Sequence, residues 1–378
     1  MPNTDGLAWP GGVVQLSSGA LLVPAWKFTT GHELFVRLHS GPVAGEERAN
    51  HWSAIDTTPG SSGSDPKFLT SAGGNAFYAA FDSSELWVTD GVRARVLATV
   101  VGTISGVVGV AVRGSELVVT AHGRLLYVIP PAAAAAEGAA LALVFDIFGS
   151  GSGLDGYTDV SAPRFGSPAG PHPDYVYFFA TRSGVRSLFV MESRDSAPVA
   201  LFNNVAASGA PTQVSAGIAF ITAVGAVKLF DDVRRSIVDV APALAYAGAA
   251  NLAWVWAGVC FTAITTPSAP AELVCAGVER GDFSAFARSA AAGVTLPNPG
   301  YLLGVGHNVV TACDIASAGG PHLCAFDPVT GTLAWSTRSD SAGLSVNYNA
   351  QALIGDTLYF AAEAAGAGKA TLWALPMA

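Results

Sequence analysis

The stretch Asn75 to Asp90, NAFYAAFDSSELWVTD, decides how the whole chain is read. An apolar, aromatic-rich run leads into the polar turn Asp82-Ser-Ser, and a second run climbs from Glu85 to Thr89. Each run is too short for a helix, and a turn bounds it, so the pair predicts a β-hairpin. Neither half alternates cleanly between apolar and polar residues. Both faces of the hairpin are therefore expected to be covered.

The same grammar recurs outward from this segment. It appears at Ala20 (ALLVPAWKFTTGHELFV), Ser115 (SELVVTAHGRLLYVI), Asp174 (DYVYFFATRSGVRSLFVM) and Gly217 (GIAFITAVGAVKLF). It returns at Gly258 (GVCFTAITTPSAPAELVCAG), Asn308 (NVVTACDIASAGGPHLCAF) and Asp356 (DTLYFAAEAAGAGKATLWAL). First strands begin near residues 20, 75, 116, 174, 217, 258, 308 and 356. The spacing matches a four-stranded blade of roughly 40 to 50 residues.

A hairpin that is apolar on both faces is not stable alone. Stacking such units around an axis covers both faces and leaves only short edges. The expectation is one all-β propeller of four-stranded antiparallel blades, eight in number, with seven as the alternative. Blades are placed at about 10-56, 66-100, 104-147, 158-205, 211-240, 249-289, 299-339 and 344-378. The last hairpin lacks a fourth strand after it, and a segment near Leu7 to Trp9 is expected to supply one and close the ring.

Composition agrees. Of 378 residues, 51% are hydrophobic and 12% charged, where a soluble domain usually carries about 25% charged residues. Few charges suit a fold in which only turns and outer strands meet water. The net charge of −9 argues against nucleic acid as a partner, because there is no basic stripe to release counterions. The best candidate window, the uncharged run Leu244 to Ile264, has the length of a membrane span, but Gly248, Asn251 and Gly258 interrupt it. It reads as buried strands, as does Val96 to Val112, so no transmembrane segment is expected. The amino terminus has no signal peptide, and localisation stays unassigned: soluble, extracellular or assembly-associated if the terminus is processed.

Two motifs carry a family resemblance. Glu85-Leu-Trp-Val-Thr-Asp-Gly91 resembles the ELWxxDG unit of predicted propeller repeats. Ala325-Phe-Asp-Pro-Val-Thr-Gly-Thr-Leu-Ala-Trp335 resembles the AxDxxTGxxxW repeat of quinoprotein-type propellers. The resemblance implies a fold and no activity. It implies a turn capped by Asp327 with Gly331 at positive φ, and a Trp packed between blades.

Chemistry is sparser. Cys260, Cys275, Cys313 and Cys324 fall in two consecutive hairpins, one on each strand. Cross-strand disulfides Cys260–Cys275 and Cys313–Cys324, or four small buried side chains, both fit this placement. No zinc-ligand spacing, HExxH helix or GxSxG elbow is present. In the polar loop Gly149 to Asp159, Asp155 and Asp159, with Asp146 before it, form a Ca²⁺ candidate, read against a flexible interblade linker. The stretch Thr57 to Asp65 reads as a similar linker, and Ser167 to Asp174 as a third insertion. These features lead to a non-enzymatic scaffold that binds a partner protein or glycan through face loops, within a larger assembly. The alternative is a carbohydrate-active hydrolase or lyase with a central-channel site.

Overall fold

The computed structural model describes residues 12–27, 30–37, 52–55, 63–80, 85–99, 107–113, 116–121, 125–129, 142–146, 157–161, 163–167, 170–192, 196–207, 211–214, 217–241, 248–255, 258–264, 271–277, 286–288, 294–296, 302–305, 307–315, 321–336, 345–363 and 370–376. Among these the chain is all-β; seven of the eight hairpins form the middle of an antiparallel sheet, and the last, Thr357–Glu363 with Ala370–Pro376, is the second and third strands of a three-stranded one.

Sheet I orders Val14–Gln15, Leu21–Lys27, Gly31–Arg37 and Ser53–Ile55. Sheet II orders Lys67–Ala72, Asn75–Ala80, Glu85–Thr89 and Ala94–Thr99. Sheet III orders Val107–Arg113, Glu116–Ala121, Leu125–Ile129 and Ala142–Asp146. Sheet IV orders Tyr157–Thr158, Val176–Arg182, Val185–Met191 and Val199–Asn203, with Arg164–Phe165 also on its second strand. Sheet V orders Thr212–Val214, Gly217–Ile221, Val227–Asp231 and Ser236–Ala241. Sheet VI orders Gly248–Val255, Gly258–Ile264, Glu272–Ala276 and Phe286–Arg288. Sheet VII orders Val294–Thr295, Asn308–Ile315, Pro321–Phe326 and Leu333–Ser336, with Leu303–Val305 also on its second strand. Sheet VIII orders Ser345–Ile354, Thr357–Glu363 and Ala370–Pro376.

The window Leu244 to Ile264 is thus two paired strands, with Trp254 opposite Val259. Among the described residues, no helix is long and apolar enough to cross a membrane. Residues 1–11, which include the expected closing strand Leu7 to Trp9, lie outside the described residues, as does most of the Ala-rich stretch after Pro131.

The chain divides into two compact units. One comprises Met1–Leu154, Asn349–Glu363 and Ala367–Ala378; the other comprises Asp155–Tyr348 and 364–366. Within the first unit, sheets stack in chain order. Val23, Phe35 and Trp52 of the sheet I region meet Leu372 and Tyr359 of sheet VIII. Leu22 and Leu34 meet Tyr78 and Ala80 of sheet II, whose other face carries Phe77 and Leu86 onto Leu117 and Val119 of sheet III. Tyr78 and Phe77 are neighbours, so their side chains leave opposite faces of one strand, and both are fully buried. This is why the hairpins read as continuous apolar runs.

The second unit repeats the arrangement. Tyr177 and Phe179 of sheet IV meet Ile218 and Phe220 of sheet V. Val227 and Leu229 of sheet V meet Phe261 and Val274 of sheet VI, and Cys260 and Leu273 of sheet VI meet Val309 and Phe326 of sheet VII. All four cysteines lie in this last layer as two disulfides, Cys260–Cys275 and Cys313–Cys324. Cys260 and Cys275 are direct cross-strand partners. Cys313 faces His322 and Cys324 faces Thr311, so the second bridge runs diagonally.

One turn device recurs at the end of the third strand in three sheets. The Asp90 carboxylate accepts the amides of Val92 and Arg93, each at 2.8 Å. Asp231 accepts those of Val233 and Arg234 at 3.0 and 2.9 Å. Asp327 accepts that of Val329 at 2.8 Å, and its own carbonyl accepts from Gly331, whose φ is 70°. Such bonds favour the charged carboxylate, and those from Arg93 and Val92 hold Asp90 below the usual range. The capping role expected of Asp327 and the positive φ expected of Gly331 are both present.

Candidate functional site

Each unit carries a cluster in which exposed ionic and aromatic groups sit over a buried tyrosine and a buried acid. In the first unit the cluster grows from the hairpin Leu21–Lys27/Gly31–Arg37. Trp26 and His32 are direct partners there, which puts both side chains on one face of sheet I. Glu33, the next residue, points the other way and is fully buried.

The chain entering sheet II folds back onto this hairpin. The His32 carbonyl accepts the amides of Ser64 and Asp65, both at 2.9 Å. The Ser64 hydroxyl donates to Glu33 Oε2 at 2.6 Å. Gly63 allows this approach. Its φ is 68°, and a Cβ there would lie 2.4 Å from the His32 nitrogen. The end of the stretch read as a flexible linker is therefore pinned, with Ser64 buried. Asp65 then links His32 Nδ1 at 3.0 Å to Lys67 Nζ at 2.7 Å, and the chain runs on into Phe68, 42% exposed. Asp65 and Phe68 both hold left-handed backbone, φ 48° and 56°. A bulge between Lys67 and Thr70 accompanies this geometry.

Beneath lies Tyr78. Its hydroxyl is buried with no hydrogen-bond partner. Burial first, and the Glu33 charge second, hold it well above the usual phenol range. It stays a neutral phenol.

In the second unit Tyr177 donates to Asp232 Oδ1 at 2.6 Å, with both residues buried. Burial, this bond and the Asp232 charge raise the Tyr177 hydroxyl well above its ordinary range, against the opposing charge of Arg235. Asp232 Oδ2 is buried without a hydrogen-bond partner. Above the pair, Arg235 binds Glu192 and lies 5.5 Å from the Tyr175 ring centre and 5.8 Å from that of Phe230. The Glu192 bond is the main reason its guanidinium is held above its usual value. His172 stacks on Tyr175 at 4.3 Å and 9°. Tyr175 precedes the second strand of sheet IV, Glu192 follows the third, and Arg235 sits in the third turn of sheet V. All these groups therefore gather at one end of two neighbouring sheets. His172 comes from the third insertion of the sequence, whose first residue, Ser167, is buried.

The Ca²⁺ candidate divides differently. Asp155 lies outside the described residues. Asp146 ends the fourth strand of sheet III. Asp159 is exposed with φ 54°; its carboxylate accepts from Thr158 at 3.3 Å, and its carbonyl accepts from Arg186 at 2.8 Å. Among the described residues no three His, Cys, Asp or Glu side chains gather as a metal site. Sequence reasoning missed both clusters. For the second, the one local signal is Asp231-Asp-Val-Arg234, which repeats the Asp-x-Val-Arg of the turn Asp90 to Arg93 and contains Asp232.

No protein-family model matches the chain, and no curated protein matches it in sequence. Solved structures do resemble it. The computationally designed protein Ika8 has a TM-score of 0.57 at 14% identity, covering 97% of this chain and 98% of that one. Sqt1 from Saccharomyces cerevisiae, a propeller protein, has a TM-score of 0.55 at 12% identity, covering 98% and 97%. An oligogalacturonate lyase from Vibrio parahaemolyticus has a TM-score of 0.55 at 10% identity, covering 99% and 92%. At such identities the likeness is one of fold, and the fold is all-β and propeller-like.

Proposed function

We propose that the chain is a closed propeller of eight blades that serves as a non-enzymatic scaffold, holding a partner protein through its face loops. The observation carrying this reading is the ladder His172–Tyr175–Arg235–Glu192, built from loops of two adjacent sheets and partly open to solvent. Aromatic and arginine side chains held rigid before contact are the groups that dominate protein interfaces. Val233, 71% exposed in the same turn, extends the surface with an apolar contact. The acid beneath, Asp232, is sealed from solvent, which suits support better than catalysis.

The test is a photoreactive amino acid placed at Val233 in cells that make the chain. One discrete protein adduct is expected, with none when the probe sits at Val199 on the outer strand of sheet IV. The purified adduct partner should bind the wild-type chain and bind Arg235→Ala about tenfold more weakly or worse. Adducts formed equally from both positions, or none from Val233, overturn the reading.

A further inference from the structure

We propose that the first-unit cluster of Trp26, His32, Asp65, Lys67 and Phe68 is a binding site for a neutral carbohydrate. It lies in a different unit from the protein-binding surface, and its test is separate.

The first observation is the cost of presenting Phe68. A bulky side chain at φ 56° is an outlier, and such outliers persist only where the surroundings over-determine them. Here the surroundings do so. Two amide bonds to the His32 carbonyl, the Ser64–Glu33 bond and the close approach of Gly63 fix the segment that leads into Phe68. The outcome is an aromatic ring held 42% exposed. Every other exposed large hydrophobic among the described residues is Val or Leu.

The second observation is the polar set beside it. Asp65 Oδ2 pairs with Lys67 Nζ, while Oδ1 lies 3.0 Å from His32 Nδ1 without a hydrogen bond between them, and a carboxylate has about four accepting sites. Asp65 is 45% exposed and Lys67 42%, so acceptors and donors remain open to a ligand. An aromatic face takes the C–H face of a sugar ring, while fixed donors and acceptors take its hydroxyls. Trp26, half-buried on the same sheet face as His32, adds a second aromatic surface. The Asp65 and Lys67 charges cancel. That selects a neutral sugar over a uronic or sulfated one, and the chain's net charge of −9 opposes an anionic ligand further.

The experiment is a printed array of neutral hexose and pentose oligosaccharides, acidic glycans and peptides, probed with the intact chain and three variants. Wild type is expected to bind a discrete set of neutral oligosaccharides. Phe68→Gly should lose about tenfold or more in affinity by calorimetry with the strongest of them. Its thermal midpoint should not fall, because glycine accepts the left-handed conformation, so the loss cannot be assigned to unfolding. Asp65→Asn should weaken binding, and Val92→Thr, in the third turn of sheet II, should leave it unchanged. Four results overturn the proposal: no neutral oligosaccharide bound, wild-type affinity in Phe68→Gly, binding confined to acidic glycans, or a peptide captured through Phe68 instead.

Discussion

The Ser64 hydroxyl reaches across 31 residues of sequence to a Glu33 oxygen 2.6 Å away, with both side chains out of contact with water. Removing one partner of a buried hydrogen bond costs about 1–3 kcal/mol. Ser64→Ala should therefore lower stability by roughly 2 kcal/mol in urea unfolding without changing the slope. It should also speed hydrogen exchange at the Ser64 and Asp65 amides. Unchanged exchange there would mean the hydroxyl does not hold the segment.

Gly63 leads this segment, and its backbone geometry leaves no room for a methyl group. Gly63→Ala combines positive φ with a Cβ 2.4 Å from the His32 nitrogen. Its cost should exceed about 2 kcal/mol. A near-neutral result by the same urea titration would show that the loop and hairpin separate easily.

Phe68 offers a comparison of two truncations. Alanine keeps the Cβ that makes left-handed backbone unfavourable by roughly 1–2 kcal/mol, and glycine removes it. Phe68→Gly should be more stable than Phe68→Ala by about 1 kcal/mol. The opposite order of thermal midpoints would place this residue in ordinary strand conformation.

The two buried tyrosines should behave differently. Tyr177→Phe leaves both Asp232 oxygens without a partner and should cost about 1–3 kcal/mol. Tyr78→Phe removes a hydroxyl that has no partner and should be neutral or slightly stabilising. Both hydroxyls titrate higher folded than unfolded. The unfolded chain thus loses these protons first, above about pH 10, and binds fewer than the folded chain there. Their contribution is full below that pH and fades as pH rises through it. Midpoints measured from pH 8 to 12 should fall more gently in Tyr78→Phe than in wild type.

The disulfides close sequence separations of 15 and 11 residues. In the chain-entropy account each contributes about 3 kcal/mol. With all four cysteines buried, alkylation without reductant should leave the native protein unmodified, and also the protein unfolded in urea. Cys260→Ala/Cys275→Ala should lower the unfolding midpoint. Four reactive thiols in urea without reductant would contradict both bonds.

The hairpins were legible because two-sided burial writes itself into sequence. Strands such as Val176–Arg182 and Gly258–Ile264 read as apolar runs between turn residues, and the observed second strands begin at Leu21, Asn75, Glu116, Val176, Gly217, Gly258, Asn308 and Thr357. Outer strands were less legible. Val199–Asn203 is half-exposed and carries little periodic signal. The clusters were not legible at all, because they depend on residues far apart in the chain. Nothing local to Thr57–Asp65 shows that Ser64 meets Glu33, so Gly, Ser and Asp there read as a spacer. The cysteines stood between. Their strands could be read, but whether Cys313 would face Cys324 or slip past it depended on register, and the bridge proves diagonal.

Both sulfur bridges stay inside a single hairpin, and neither ties one sheet to the next. They do nothing to stop sheets VI and VII from being peeled apart by a pulling force, yet each locks away the chain between its ends. In a single-molecule stretching trace those two sheets should yield under load like their neighbours. Their steps should nevertheless be shorter, by roughly 50 Å and 40 Å, until a reductant frees the hidden length.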